Sequence, residues 1–299
     1  MSGTWVAVLG FGGMLALIGL RLHVGLAMFV TGCIGYAYLS STSALFGFLK
    51  TNAYNLFATY TLSVIPLFIL MGALAERSGL STALFKAASG LVGHRRGGMA
   101  MGVIGACTAF GAICGSSVAT TATFGRAALP ELLRHKYDGG FATGTIAVGG
   151  TLGILIPPSL ILVIYAITVE QNIAKLFMAA FVPGLLAASF YLVTIALVLR
   201  LRPDLAPPGA PPAKGDRRRH LKTVWPAILV AVLVVGGIYG GVFTPTEGAA
   251  VGTVALLVIG VAQRTLGLTA LRTSILMMGS RSRSWSARTR TASPMTPRI

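Results

Sequence analysis

The 299-residue sequence is 55% hydrophobic and only 10% charged, whereas a soluble domain carries about 25% charged residues. This composition excludes an ordinary soluble domain, and the long apolar runs predict an all-α integral membrane protein with a multi-span helical bundle. The net charge of +17 lies between the apolar runs and not along one face. That distribution argues against a nucleic-acid partner and is typical of cytoplasmic loops.

Taken in chain order, the apolar runs predict a series of membrane-spanning helices in a lipid bilayer. The first run is treated as a retained helix, because the N-terminus lacks the charged region and cleavage site of a signal peptide. The predicted spans are residues 4–20, 24–39, 55–75, 141–169, 174–199, 224–243 and 247–263.

The apolar region from about residue 97 to 134 differs from these spans, because its middle, residues 114–121, is small and polar. Each arm of about 17 residues or fewer reaches roughly 25 Å, which is short of the ~30 Å hydrocarbon core. If both ends lie on one side, nearly all Lys and Arg before the C-terminal tail share that side, leaving Lys50 and Lys175 opposite. We therefore predict a re-entrant hairpin, cytoplasmic basic loops and a periplasmic N-terminus; a fully crossing hairpin distributes the charges equally well.

The predicted organisation is a first membrane repeat at 1–202, a linker at 203–223, the start of a second repeat at 224–278 and a tail at 279–299. The linker is rich in proline and contains the charge run 216–219. This run is interpreted as a solvated cytoplasmic loop that sets the topology, with contact to lipid headgroups as the alternative.

Enzyme signatures are absent, and the chemistry of the chain is expected at two interrupted apolar segments. Proline removes backbone donors, so the carbonyls freed at such breaks and nearby hydroxyls form an oxygen cage suited to Na⁺. The hairpin tip contributes Ser116, Ser117 and Thr120, and the broken helix at 141–169 contributes Gly150, Thr151, Gly153, Pro157 and Pro158. A proline kink with close packing of small residues is the structural alternative.

A third motif, Thr244, Pro245 and Glu247, precedes the last predicted span. Thr at the N-cap, Pro at the first helical position and Glu at the third are typical of a capping box. The motif is therefore interpreted as a helix cap, with a gating role as the alternative.

The segments 114–125, 149–159 and 243–252, in this order and spacing, resemble the large membrane subunit of TRAP (tripartite ATP-independent periplasmic) transporters of the DctM type. Residues 130–131 and 137–141 match the same pattern. The resemblance implies an elevator-type secondary transporter of the bacterial inner membrane that is driven by a Na⁺ gradient and uses no other cofactor.

In that family a small membrane subunit and a periplasmic substrate-binding protein complete the system, and the substrates are carboxylates such as dicarboxylates or sialic acid. The resemblance places the hairpin tip and the broken-helix motif at the first Na⁺ site and at one wall of the substrate site.

The sequence departs from the family after residue 278, where an Arg/Ser/Thr-rich tail replaces the expected second hairpin. A truncated or frameshifted chain is expected, and this chain alone is not expected to transport. Two other functions remain as alternatives. One is a non-transporting membrane scaffold or fragment; the other is an intramembrane hydrolase, which needs a base about 3 Å from Ser116 or Ser117.

Overall fold

The computed structural model of the chain describes residues 3–58, 60–207, 216–263 and 265–266. Every regular element in these residues is helical, which confirms the predicted all-α class. The helices are α1 (Gly3–Gly19), α2 (Val24–Leu39), α3 (Thr42–Ala58), α4 (Val64–Arg77), α5 (Leu80–Val92), α6 (Gly98–Cys114), α7 (Ser117–Ala127), α8 (Leu129–Arg134), α9 (Gly139–Leu155), α10 (Leu160–Thr168), α11 (Ile173–Leu201), α12 (Asp216–Ala231), α13 (Gly237–Tyr239) and α14 (Pro245–Ala262).

The chain divides into two compact units, residues 1–62 and residues 63–299. This division concerns packing, and the repeat boundaries proposed from the sequence stay predictions. In the first unit α1 contacts α2, and α2 contacts α3. Tyr36 and Phe48 place their ring centroids 5.1 Å apart. Most side chains of α1 and α2 are apolar and exposed, as suits helices that are solvated by lipid.

Helix α6 forms the centre of the second unit and contacts α4, α5, α9, α11 and α12. Its glycines allow the neighbouring backbones to approach closely. A Cβ on Gly111 would lie 3.0 Å from the Cα of Gly153 on α9, and one on Gly102 would lie 3.1 Å from the Cα of Ser89 on α5. Small residues at such contacts are typical of helix packing in membranes.

The predicted span 55–75 is wrong, because helix α3 ends at Ala58 and helix α4 begins only at Val64. A short 3₁₀ turn, Tyr60–Ser63, separates the two helices. Pro66 explains the restart, since a residue without an N–H fits the first turn of a helix and breaks an existing ladder.

The basic loop predicted between residues 75 and 97 is also wrong, because it contains helix α5. Leu80, Leu84 and Phe85 are buried, whereas Lys86 is exposed. The helix is amphipathic and packs on α6, so its charged residue concealed an element that tertiary burial stabilises. At the end of α4, Glu76 forms an ion pair with Arg126 of α7.

Both predicted interruptions are present as breaks between helices. Residues 97–134 contain α6 and α7 with a break at Gly115 and Ser116, and residues 141–169 contain α9 and α10, bent by 41°. The predicted linker is shorter than expected, since a 3₁₀ turn occupies Pro203–Leu205 and α12 already begins at Asp216. Residues 208–215 and the tail 279–299 lie outside the described residues.

Among the described helices, α11 and α14 are each long and apolar enough to cross a membrane. Two bent pairs, α4 with α5 and α9 with α10, meet the same criterion when each pair is taken together. The bend between α4 and α5 is 63°. Helices α11 and α14 begin at side-chain caps: Asn172 Oδ1 accepts from the N–H of Lys175, and Thr244 accepts from that of Glu247.

Candidate functional site

The hairpin tip is a tight connection between α6 and α7. Gly115 ends α6 in the left-handed conformation, with φ at 62°, and Ser116 caps α7 through a 3.4 Å hydrogen bond that its Oγ accepts from Ala119. The Thr120 hydroxyl donates to the carbonyl of Ser116 at 2.8 Å, and the Thr120 N–H donates to the same oxygen at 3.0 Å. Thr120 is buried, and Ser116 and Ser117 are half-buried.

The second break separates α9 from α10 at residues 156–159. Pro157 and Pro158, which are joined by a cis peptide bond, supply no N–H to the carbonyls of Gly153 and Ile154 four residues earlier. The last N–H of the α9 ladder is that of Ile156, which donates to Leu152 at 3.0 Å. The proline pair therefore leaves backbone oxygens without helical partners at the end of α9.

The two breaks touch each other. The carbonyl of Gly115 accepts a 3.2 Å hydrogen bond from the N–H of Leu160, the first residue of α10. A Cβ on Gly115 would lie 2.5 Å from the carbonyl oxygen of Pro158. Only a glycine tolerates both this approach and the positive φ. The structure therefore joins two motifs that are about forty residues apart into one polar region.

Two glycines of α9 account for the close packing of the hairpin arm. A Cβ on Gly153 would lie 2.6 Å from the Thr120 hydroxyl oxygen and 2.9 Å from the Ser116 carbonyl oxygen. A Cβ on Gly150 would collide with the hydroxyl of Thr121. Gly153 therefore lies beside the tip, whereas Gly150 makes a packing contact farther along α7.

Thr151 is not brought to the hairpin tip. Its hydroxyl donates to the carbonyl of Val148 at 2.7 Å and lies 3.1 Å from the hydroxyl of Tyr191 on α11. Thr151 is exposed, while the neighbouring Gly150 and Gly153 are buried against α7. One helix carries these residues on different faces, and only the glycine face meets the tip.

Ser159 belongs to this region, although the sequence analysis did not select it. It is fully buried at the N-cap position of α10, its Cα would lie 3.3 Å from a Cβ on Gly115, and its hydroxyl has no hydrogen-bond partner among the described residues. A buried hydroxyl without a partner is costly, and such groups mark sites completed by a ligand, an ion or water. The signal in the sequence is a serine that directly follows two prolines and precedes an apolar run.

The third motif forms the capping box expected from its residues. The Thr244 hydroxyl oxygen accepts from the N–H of Glu247 at 3.3 Å, and the Glu247 carboxylate accepts from the N–H of Thr244 at 2.8 Å. Pro245 occupies the first turn of α14. No hydrogen bond or ion pair given for the described residues connects this motif to the hairpin tip.

The chemistry available at the two breaks is that of neutral oxygen atoms. Serine and threonine hydroxyls and freed carbonyls are hard ligands, which suit a cation such as Na⁺. In the described residues no cluster of His, Cys, Asp and Glu forms a transition-metal site. The His side chains that are described are exposed, and none is bonded to Ser116 or Ser117, so a nucleophile with its base is not assembled there.

The sequence matches the family described as "Tripartite ATP-independent periplasmic transporter, DctM component" over residues 11–284. It is 42% identical over 212 residues to the C4-dicarboxylate TRAP transporter large permease protein DctM of Pseudomonas aeruginosa, covering 69% of this chain and 48% of the relative. It is 30% identical over 243 residues to the sialic acid TRAP transporter permease protein SiaT of Haemophilus influenzae, covering 78% and 39%.

A third relative is the ectoine/5-hydroxyectoine TRAP transporter large permease protein UehC of Ruegeria pomeroyi, which is 36% identical over 203 residues, covering 67% and 46%. The chain spans about half the length of these relatives, or less. Its relatives are transporter permeases, and its apolar helices suit a bacterial inner membrane. The chain therefore belongs to the DctM family, the large permease component of TRAP transporters.

Proposed function

We propose that the chain acts as the large permease subunit of a sodium-coupled secondary transporter that imports an organic acid. The observation that carries this proposal is the contact between the hairpin tip and the broken helix, where Gly115 accepts from Leu160. Two interrupted helices that meet in an apolar protein are the arrangement in which transporters bind ions and substrates.

The proposed Na⁺ ligands are oxygens on both sides of this contact. Ser117 and Thr120 contribute hydroxyls, and the end of α9 near Gly153 contributes a carbonyl freed by the proline pair. Thr120 already donates its proton to Ser116, so the lone pairs of its oxygen remain available to a cation. The buried hydroxyl of Ser159 is a further candidate ligand. Thr151 is left out, because its hydroxyl is engaged with Val148 and Tyr191.

The same breaks suit a carboxylate substrate. Helices α7 and α10 both begin at this region, at Ser117 and Leu160, and their N-terminal N–H groups carry partial positive charge. A bound Na⁺ adds full positive charge beside these N-termini. We infer that an acid binds only after Na⁺, which couples its uptake to the sodium gradient.

Transport in an elevator mode moves the hairpin and broken helix together as one body. The close approach of α7 to α9 at Gly150 and Gly153 supports joint movement, since tightly packed helices shift as a unit. Glu247 and Thr244 remain candidates for a gate. The proposed orientation has the N-terminus in the periplasm and the basic loops in the cytoplasm.

The proposed partners are a small membrane subunit and a periplasmic substrate-binding protein. The relatives are named for different cargoes, namely C4-dicarboxylates, sialic acid and ectoine, although all resemble this chain to a similar degree. This spread supports a division of labour in which a separate binding protein selects the cargo. Genes for both partners beside the gene for this chain are the expected arrangement.

Uptake by the source bacterium with this gene intact or deleted tests the proposal. Cells are supplied with radiolabelled C4-dicarboxylates and sialic acid, with NaCl or with choline chloride. Deletion should abolish uptake of one acid, and that uptake should require Na⁺ and fall when an ionophore dissipates the sodium gradient. Sodium-independent uptake that the gene supports would refute the coupling, and unchanged uptake of every acid after deletion would favour a scaffold.

A further inference from the structure

The start of α12 combines a run of cations with an apolar helix. The helix begins at Asp216 and includes Arg217, Arg218, Arg219 and Lys222 before it continues into an apolar segment. The cations therefore stand on the first two turns of the helix itself and not in a separate loop. Their positions relative to the apolar residues are set by the helical repeat.

Positions 218, 222, 225 and 229 follow one another at spacings of four, three and four residues, so they share one face of α12. Trp225 and Leu229 on this face are 54% and 46% exposed. The opposite face, which carries Ala227 and Val230, is buried against the rest of the second unit. The face of positions 218 and 222 is therefore continuous with the apolar face that α12 presents outward.

The depth of these positions matches the layers of a membrane. Tryptophan is enriched where hydrocarbon meets headgroups, and Trp225 lies at the start of the apolar part of α12. Position 222 is about 5 Å farther along the helix axis, and position 218 about 10 Å. Each headgroup layer is roughly 5–8 Å thick, so both cations reach the level of the phosphates.

We propose that the Arg218–Lys222 face of α12 binds the headgroup of an anionic phospholipid, with Trp225 beside its glycerol region. Arginine and lysine suit a phosphodiester because they supply several N–H donors and a full positive charge. A topology signal requires only the number of charges on one side, whereas this site requires cations on one face. The proposal concerns the bilayer and is independent of the cargo and the coupling ion.

Quenching of Trp225 fluorescence by brominated lipids tests the proposal. Replacing Trp5 and Trp285 by Phe leaves Trp225 as the single tryptophan. The chain is reconstituted in phosphatidylcholine vesicles that contain brominated phosphatidylglycerol or brominated phosphatidylcholine at equal fractions. We expect roughly a fivefold preference for phosphatidylglycerol at low salt, falling in about 0.5 M NaCl as the charges are screened.

The chain offers a matched control on the same helix. R218Q/K222Q removes two charges from the exposed face, and R217Q/R219Q removes two charges about 100° to either side of position 218. The first pair should abolish the preference, and the second should retain most of it.

Equal losses in the two double variants would show diffuse attraction and overturn the site. No preference in the parent protein, or no quenching by either lipid, would overturn it as well. If R218Q/K222Q does not reconstitute, a preference that is insensitive to salt in the parent decides against the proposal.

Discussion

The carbonyl oxygen of Gly115 accepts a hydrogen bond from the N–H of Leu160 at 3.2 Å, which ties the hairpin tip to the start of α10. The bond satisfies one of the N–H groups that the first turn of a helix leaves without a partner. It also brings the Gly115 backbone against Pro158, where a side chain would not fit. The predictions below begin with this contact and extend to the packing, the ion site, the helix cap and the topology.

Replacing Gly115 with alanine should destabilise the protein. The residue has φ at 62°, and a Cβ would lie 2.5 Å from the carbonyl oxygen of Pro158. A strained backbone position costs on the order of 1–3 kcal/mol. Thermal unfolding in detergent should therefore shift downward, while Gly125→Ala, with no atom within 4 Å of its Cβ, should not lower the midpoint. Equal midpoints for the two variants would contradict this account of the tip.

Alanine at Gly153 should loosen the contact between α7 and α9. The new methyl group would lie 2.6 Å from the Thr120 hydroxyl oxygen and 2.9 Å from the Ser116 carbonyl oxygen, and overpacking of this kind costs about 1–3 kcal/mol. Gly144→Ala on the same helix meets no atom within 4 Å and should be stabilising by up to about 1 kcal/mol. The midpoint temperatures of thermal unfolding measure both effects, and a stabilising Gly153→Ala would refute the close packing.

The ion site predicts selective losses of sodium-dependent stabilisation. Ser117→Ala and Thr120→Val should each weaken the rise in unfolding temperature with NaCl relative to choline chloride, because each removes an oxygen that we assign to Na⁺. Loss of one ligand should cost on the order of 1–3 kcal/mol. Thr120→Ser retains the hydroxyl and should keep the response.

Two further variants separate this site from other hydroxyls. Ser189→Ala on α11 removes a hydroxyl that bonds to Leu185, and Thr151→Val removes the one that bonds to Val148 and meets Tyr191. Neither should change the sodium response. A loss in Thr151→Val as large as that in Thr120→Val would instead favour the site expected from the sequence alone.

Loss of the capping box should destabilise α14 without affecting the polar region. Thr244→Ala removes the oxygen that accepts from the N–H of Glu247, at a cost of about 1 kcal/mol in stability. Thr244→Ser keeps an oxygen at the same place and should retain most of that stability. A gating role would appear differently, as reduced sodium-driven uptake in Thr244→Ala with an unchanged unfolding midpoint.

The proposed orientation predicts which residues are reachable from outside. In a chain whose native cysteines are replaced by serine, a single cysteine at Asn52 should react with a membrane-impermeant maleimide in spheroplasts, whereas one at Pro211 should react only after lysis. Asn52 is exposed in α3, and Pro211 lies outside the described residues. The reverse labelling pattern would overturn both the orientation and the same-side ends of the hairpin.

Local features of the sequence determined much of this architecture. Pro157 and Pro158 lack the N–H groups that would continue α9, so a break there follows from composition. The Thr244 and Glu247 cap follows equally from residue types at fixed spacing. Apolar runs long enough for a bilayer indicated the membrane helices, because lipid leaves a backbone no other partner than itself.

Only the tertiary structure decided which of these features meet. Thr151 and Gly153 are two residues apart, yet Gly153 packs beside Thr120 and Thr151 bonds with Tyr191. Ser159 became a candidate only through its burial beside Gly115, and α5 became evident only through its packing on α6. The rotation of each helix is set by close packing with neighbours that are distant in sequence, and a pattern along one segment does not contain those contacts.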